Sequence, residues 1–237
     1  MMGRNIKLAA VHRAVIMVLA CAIVLSFAVA AFAAIPSSDI VSCNGMFNVD
    51  KWMLESDGQT PVTCTSPEYS GKTLQEVINV VFADVYAASA SDAQSRLADG
   101  LATIGYTPSI WHYSGYTGWM AGTLYHQQPI IGAFADKSFY EQNIHHSRAF
   151  GPYYYNSAYY TIASFSTESF QSWPPAHVWV SYNTARDDVA SKLVSMSGYT
   201  RLANINLQNQ IPANDPTLST GDFDGVTVFL QTPRGIN

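Results

Sequence analysis

Residues 77–107 read VINVVFADVYAASASDAQSRLADGLATIGYT, and this stretch decides the predicted fold. Its first six residues are rich in β-branched and aromatic side chains, which predicts a buried strand. Ser91 and Gln94 then form a capping box, apolar side chains follow at helical spacing, and Gly105 ends the helix. The stretch therefore predicts one strand followed by one helix.

The same unit is predicted a second time in residues 177–200, HVWVSYNTARDDVASKLVSMSGYT. Here Thr184 and Asp187 form the capping box and Gly198 ends the helix. Both predicted helices are followed by the same tripeptide, Gly-Tyr-Thr. Two matching strand–helix units predict a pseudo-duplicated α+β domain with a ferredoxin-like tendency, in which an antiparallel sheet carries both helices on one face.

The rest of the chain between and after the helices is predicted to form short strands. Tyrosines cluster at residues 153–160, where they suit either a pleated sheet surface or the face of a ligand site. Residues 209–219 carry two prolines and are predicted as a loop. The predicted strands are Met120–Tyr125, Pro129–Phe134, Ser147–Phe150, Ala158–Phe165 and Gly225–Leu230.

The chain begins with a segment typical of a signal peptide. Residues 1–13 carry three basic residues and no acid, residues 14–30 are almost entirely apolar, and Ala31-Phe32-Ala33 offers a small-x-small cleavage site. We therefore predict a signal peptide over residues 1–33 and a secreted or periplasmic mature protein. The alternative is a retained membrane anchor, since the apolar run approaches the roughly 20 residues that span a bilayer. Membrane contact is predicted only through this segment.

Residues 34–70 are predicted as an N-terminal extension, and the main domain is placed at residues 71–237. Prolines and glycines interrupt every periodic run in the extension. It contains Cys43 and Cys64, and an even count of cysteines in an exported chain favours a disulfide between them. A metal pair is the alternative, with a spacing that is poor for zinc.

Composition and motifs exclude several functions. Without the predicted signal peptide, nine basic residues stand against seventeen acidic ones, a net charge of −8, and no Lys/Arg cluster remains. Nucleic acid is excluded as a partner because its binding needs a basic face. The patterns H-E-x-x-H, G-x-x-x-x-G-K-[ST], G-x-G-x-x-G and G-x-S-x-G do not occur. We therefore predict no cofactor and expect a small molecule as the ligand.

Six short motifs follow one another along residues 74–232. They are Ile78–Phe82 with Gly105-Tyr106, Pro129–Phe139, His145–Phe150, Ala158–Glu168, His177 with Ala185-Arg186-Asp187, and Gly221–Gly225. Their order resembles the LssY C-terminal domain family of bacterial membrane and exported proteins. The chain departs from the family's pattern at Ala185, which stands for a Glu, and at residues 133–135, which stand for Gly-Arg.

The resemblance implies a domain whose chemistry is largely unknown. Some relatives carry it beside a membrane domain similar to lipid-phosphate phosphatases. By association, the resemblance implies a link to envelope lipids and a lipid-derived ligand.

Seven polar residues form the candidate site: His145, His146, Arg148, His177, Arg186, Asp187 and Asp224. Neighbouring strand residues point to opposite faces, so at most one of His145 and His146 is expected to serve it. In one interpretation that His, with His177 and a carboxylate, binds a transition metal. In another, Arg148 and Arg186 hold a phosphate or carboxylate while a His acts as general acid or base. The histidines and Asp187 are the catalytic candidates, and Arg148, Arg186 and Asp224 are the ligand-binding ones.

A structural role is the third interpretation of these residues. Asp187 fits the capping box of the second helix or pairs with Arg148, and Arg186 pairs with an acid across the sheet. Because the catalytic motifs are missing, we predict an extracytoplasmic binding or accessory domain. The alternatives are a metal-assisted or His-dependent hydrolase of phosphorylated or ester substrates, and a scaffold that self-assembles through its Tyr-rich surface.

Overall fold

The computed structural model describes residues 35–64, 69, 71–173 and 175–235. From Ile35 onward the chain forms one compact unit, and its described part is mostly strand with two helices. The helices are α1 (Ala90–Thr103) and α2 (Tyr182–Met196). The strands are β1 (Ile40–Cys43), β2 (Phe47–Asp50), β3 (Thr63–Cys64), β4 (Thr73–Gln75), β5 (Val80–Asp84), β6 (Thr107–Ser109), β7 (Thr117–Met120), β8 (Thr123–Gln128), β9 (Ala133–Ala135), β10 (Ile144–Tyr155), β11 (Ala158–Ser172), β12 (Pro175–Ser181), β13 (Thr200–Ile205), β14 (Leu218–Ser219) and β15 (Thr227–Gln231).

Twelve of the described strands form one mixed sheet. Its main path runs β1-β2-β7-β8-β10-β11-β5-β15-β13, while β12 pairs with the C-terminal half of β11 and β9 joins β10 to β6. Neighbours in this sheet are antiparallel except β15 and β5, which run parallel. A separate sheet contains β14, β4 and β3.

The predicted ferredoxin-like α+β architecture is wrong. The protein is mostly β, and its large sheet is mixed rather than antiparallel. Residues 35–64, predicted as part of an extension, contribute β1 and β2 to that sheet. The prediction rested on local periodicity, which does not specify pairing partners. The sequence therefore could not predict that β5 pairs with β11 on one side and with β15, which is far away in the chain, on the other.

The longest strands, β10 and β11, pair in the middle of the sheet. The sequence predicts one strand ending at Phe150 and another beginning at Ala158, with Gly151 and Pro152 between them. The structure continues β10 through them, with a register shift between Phe150 and Tyr153. A β-bulge thus accommodates the Gly-Pro pair inside one strand.

Both helices begin before their predicted capping boxes. The cap of α1 is Ser89 rather than Ser91, and its Oγ accepts a hydrogen bond from the amide of Asp92 at 3.1 Å. The cap of α2 is Ser181, whose Oγ accepts from the amide of Thr184 at 2.9 Å. Thr184 is therefore a recipient of the cap rather than the cap itself.

The helices share one hydrophobic cluster, to which Leu97 and Leu101 of α1 and Val189 and Leu193 of α2 contribute. A different cluster contains residues of β1 and β2, including Phe47. Three of the clustered tyrosines, at positions 153, 155 and 160, pack edge-on around Phe47. These tyrosines therefore serve sheet packing.

Cys43 and Cys64 do not form the predicted disulfide. Both are free cysteines and lie in different hydrophobic clusters. Cys43 is buried beside Phe47, whereas the Sγ of Cys64 lies 3.4 Å from the hydroxyl of Tyr182. The even count of cysteines suggested a pair, but the fold places the two thiols on strands of different sheets.

The predicted signal peptide, residues 1–33, lies outside the described residues, so its cleavage and the secreted location stay predictions. Within the described ranges, no helix has both the length and the apolar character required to cross a bilayer.

Candidate functional site

A cavity of about 510 Å³ lies beside β10, β11 and β12. This volume suits a small molecule. Its lining contains several residues that can act as acids, bases or ligands, together with several aromatic residues. Its charged residues and histidines are Glu76, His112, Arg148, Glu168 and His177, and its large aromatic residues are Trp111, Tyr113, Tyr116 and Phe139.

Three metal-ligand-type side chains come from three neighbouring strands: His146 from β10, Glu168 from β11 and His177 from β12. The Oε2 atom of Glu168 lies 2.9 Å from Nε2 of His146 and 3.1 Å from Nδ1 of His177. One donor atom from each residue lies within 4.8 Å of the other two. This spacing matches a transition-metal site with three protein ligands.

The strand register explains why these three side chains share a face. His146 pairs with Ser166 on β11, and His177 pairs with Phe170 on β11. Glu168 lies midway between Ser166 and Phe170, and residues two apart on a strand point the same way. The carboxylate is therefore placed between the two imidazoles.

His177 has a defined orientation because both ring nitrogens have partners. Its Nε2 lies 2.7 Å from the carbonyl oxygen of Phe139. A carbonyl only accepts, so Nε2 carries a hydrogen and donates it. In the neutral ring Nδ1 then holds a lone pair, and this lone pair faces the carboxylate of Glu168. That contact is favourable only with a cation between the two atoms, either a second proton or a metal ion.

Two carboxyl groups of the cavity have opposite tendencies to ionise. Burial alone would raise the pKa of Glu168, but the charge and hydrogen bonds of His146 and His177 hold it well below the usual range. Burial, followed by the charge of Glu168, raises the pKa of Glu76, whose Oε2 accepts a hydrogen bond from Ser164. Carboxyl groups whose pKa values are pushed apart are typical of acid–base sites.

His112 brings a third imidazole from the loop after β6. Its ring centroid lies 5.0 Å from that of His146 and 5.1 Å from that of His177. Burial, followed by the charges of these histidines and of Arg148, lowers the pKa of His112 to about 3, so the ring is neutral. Its Nε2 is buried without a hydrogen-bond partner among the described residues. Such an atom in a cavity wall is suited to meet a ligand or water.

Arg148 lies two residues after His146 on β10 and lines the same cavity. Its Nε and Nη2 donate to the carbonyl oxygen of Tyr113 at 3.3 and 3.0 Å. The guanidinium carbon lies 4.7 Å from the ring centroid of Tyr116. The predicted pairing of Arg148 with Asp187 is not formed.

His145 points away from this group. Its Nδ1 lies 2.8 Å from Oγ1 of Thr167, and its amide donates to Asp136. With Asp136 and Asp188 it forms a second group of potential ligand atoms. Lys192 already contacts Asp188 at 2.8 Å, and this positive charge disfavours a bound cation there.

Arg186, Asp187 and Asp224 form a separate network at the start of α2. Arg186 donates from Nε to Asp187, from Nη1 and Nη2 to Asp224, and from Nη1 to the carbonyl of Val226. Burial alone would lower the pKa of Arg186, but its hydrogen bonds to Asp224 and Asp187 raise it. None of the three acidic and basic side chains lines the cavity. The seven predicted site residues therefore lie in three places: His146, Arg148 and His177 at the cavity, His145 beside Asp136, and Arg186, Asp187 and Asp224 at the start of α2.

Sequence reasoning missed Glu168, His112 and Glu76 as site residues. Glu168 could have been identified from the sequence, because it is the one acidic residue among the fifteen residues of β11. His112 stands in a loop between Trp111 and Tyr113, where no periodicity assigns a face. Glu76 follows β4, is buried, and accepts a hydrogen bond from Ser164 of β11, a contact between segments far apart in the chain.

No family model, curated protein or solved structure matches this chain. The resemblance to the LssY C-terminal domain family stays a prediction. The functional assignment therefore depends on the geometry of the site.

Proposed function

We propose that this protein is a metal-dependent hydrolase whose ion is held by His146, Glu168 and His177. The observation that carries the proposal is the convergence of three donor atoms from three strands beside a cavity of about 510 Å³. Two imidazoles and one carboxylate suit zinc and other first-row transition metals. Three protein ligands leave a coordination position for water or substrate, as catalytic sites require.

The contact between His177 and Phe139 supports this proposal. A histidine that binds a metal usually donates its other ring N–H to a carbonyl or carboxylate, which fixes the tautomer. Nε2 of His177 makes this contact at 2.7 Å, and Nδ1 is thereby directed at Glu168. A bound metal would sit where the lone pair of Nδ1 and the carboxylate meet.

The ion would lower the pKa of a bound water to about 7 and so provide a nucleophile at neutral pH. With the ion held by His146, Glu168 and His177, the water oxygen would bond to the acyl carbon or phosphorus of an ester, and the bond from that atom to the alcohol oxygen would break. Glu76, which lines the cavity and whose pKa is raised by burial, would be the group that protonates the departing alcohol. The proton of the water passes to solvent, from which Glu76 regains one.

Ligand binding without catalysis is the second candidate function, and the aromatic lining favours it. Four aromatic residues surround the polar groups, as in many small-molecule sites. This candidate shares the cavity with the hydrolase but predicts no turnover. For either function, we propose a location outside the cytoplasm from the signal-peptide pattern of residues 1–33.

Metal analysis of the purified protein tests the site. After incubation with Zn²⁺, Mn²⁺ or Fe²⁺ under reducing conditions and removal of excess ion, we expect one retained ion per chain. The variants His146→Ala, Glu168→Gln and His177→Ala should lose it. His145→Ala is the matched control, because its side chain faces Asp136 and Thr167 instead, and it should retain the ion. Retention by the first three variants, or loss in His145→Ala alone, would contradict the site.

Turnover of p-nitrophenyl acetate and p-nitrophenyl phosphate tests the reaction. Wild-type protein loaded with metal should hydrolyse at least one of them. Glu76→Gln should keep the metal and lower kcat by about a hundredfold, the usual contribution of a general acid. A protein that binds one ion but turns over neither ester would leave the binding candidate in place of the hydrolase.

A further inference from the structure

We infer that the cavity accepts a ligand carrying a phosphate or carboxylate group and that Arg148 binds this group. The inference rests on the proposed function, because it names the substrate class of the same site. Its observations concern the surroundings of Arg148, which is not one of the proposed metal ligands.

Arg148 is a buried cation placed at the cavity. It is 6 % exposed and shares a strand face with His146, two residues before it on β10. The cavity lining includes both Arg148 and the proposed ligands Glu168 and His177. A group bound by Arg148 would therefore lie in the same space as the reacting part of a substrate.

The guanidinium of Arg148 lacks a direct counter-ion. In the part of the chain that the structure describes, no carboxylate lies within salt-bridge distance of it, and its hydrogen bonds go to the carbonyl of Tyr113. Tyr116 contributes the face of its ring, which orients the guanidinium without neutralising it. Glu168 and Glu76 compensate the charge of Arg148 only from beyond salt-bridge distance, so an anionic ligand in direct contact with the guanidinium would be stabilised here.

The geometry of these contacts leaves one edge of the guanidinium available. Nε and Nη2 both donate to Tyr113, which uses one edge of the fork. The edge formed by Nη1 and the second hydrogen of Nη2 has no hydrogen-bond partner among the described residues. Two parallel N–H groups match the two oxygens of a carboxylate or phosphate.

The charges of the site favour the same ligand. Glu168 already contacts two histidines, and Glu168 and Glu76 together supply at most two negative charges. With a divalent ion bound, Arg148 and the ion would together leave an excess of positive charge. An oxyanion between them would balance it.

The aromatic wall indicates the remainder of the ligand. Trp111, Tyr116 and Phe139 line the cavity, and flat apolar groups pack well against such rings. Phenyl phosphate and benzoate are therefore suitable probes, because each joins an oxyanion to an aromatic ring and they differ in the anion.

Calorimetric titration of both probes into wild-type protein, with and without Zn²⁺, tests the inference. At least one probe should bind, and Arg148→Gln should weaken it by about tenfold or more, the value of a charge-assisted hydrogen bond. Metal content should not change. Arg201→Gln is the matched control, since Arg201 is exposed and, among the described residues, its guanidinium donates to Asn204, away from the cavity lining. The tighter of the two probes identifies the preferred anion.

Each failure has a distinct signature. Equal affinity of wild-type and Arg148→Gln, or binding of neither probe by wild-type protein, would overturn the inference and leave the metal site standing. Arg148-dependent binding by a protein that retains no metal would overturn the proposed hydrolase and support the inference. If Arg148→Gln does not fold, Arg148→Lys replaces it in the test. Lysine keeps the positive charge but lacks the paired N–H groups of the guanidinium, so it should weaken binding similarly.

Discussion

Arg148 and Arg186 are both buried arginines, 6 % and 4 % exposed, and they have opposite surroundings. Arg186 meets Asp187 and Asp224 and uses Nε, Nη1 and Nη2 in hydrogen bonds to protein groups. Arg148 meets a carbonyl oxygen and a tyrosine ring and lines a cavity. The difference shows that a buried arginine whose hydrogen bonds are all made to protein groups is part of the architecture. A buried arginine that keeps unpaired N–H groups beside a cavity is instead a candidate binding residue.

The largest expected effect on stability separates the two arginines. Arg186→Met should lower the free energy of unfolding by about 2 kcal/mol, because it removes a buried guanidinium that donates to Asp187, Asp224 and the carbonyl of Val226, while both aspartates stay about half exposed. Metal content and phenyl phosphate affinity should not change. Urea unfolding and calorimetry measure the two properties. Undiminished stability, or loss of metal from a folded variant, would show that the network is not a separate structural element.

Asp50 provides a test of a buried polar atom that does not line the candidate cavity. Its Oδ1 accepts a hydrogen bond from the amide of Trp52, while Oδ2 is buried without a partner among the described residues. Burial raises the pKa of Asp50 to about 7, against 3.8 for an ordinary Asp. The folded protein therefore keeps a proton that the unfolded chain releases.

Between pH 4 and pH 7, the stability of wild-type protein relative to Asp50→Asn should therefore fall as pH rises. The slope should approach about 1.4 kcal/mol for each pH unit and level off above the folded pKa. Thermal or urea unfolding of both proteins across this range measures it. A constant difference between the two proteins would mean that Asp50 is ionised in the fold.

The smallest expected effect concerns the cap of α2, which belongs to the same self-satisfied region as Arg186. Ser181→Ala should cost about 1 kcal/mol, because the amide of Thr184 loses its acceptor. Thr184→Ala is the control, and its cost should be smaller, about 0.5 kcal/mol, since this exposed residue loses only the hydrogen bond from Ser181 to its Oγ1 and leaves the cap in place. The opposite order in chemical unfolding would restore the capping box predicted from the sequence.

Parts of the candidate site were readable from the sequence. The alternation of side chains on a strand predicted that His145 and His146 would separate, and the structure confirms it: His146 contacts Glu168, while His145 contacts Thr167. The combination of one of these histidines with His177 and a carboxylate was also predicted as a metal-binding set. The identity of the carboxylate was not, because Asp187 and Asp224 were the candidates and both contact Arg186 instead.

The sequence by itself determined local features: the strand character of residues around Val80 and His177, the glycines that end both helices, and the opposite faces of adjacent histidines. Each depends on interactions within a few residues. Only the tertiary structure decided that β11 lies between β10 and β12, which places Glu168 between the two imidazoles and directs Arg186 elsewhere. Strand pairing and register depend on hydrogen bonds and burial between segments far apart in the chain, and periodicity within one segment does not encode its partner.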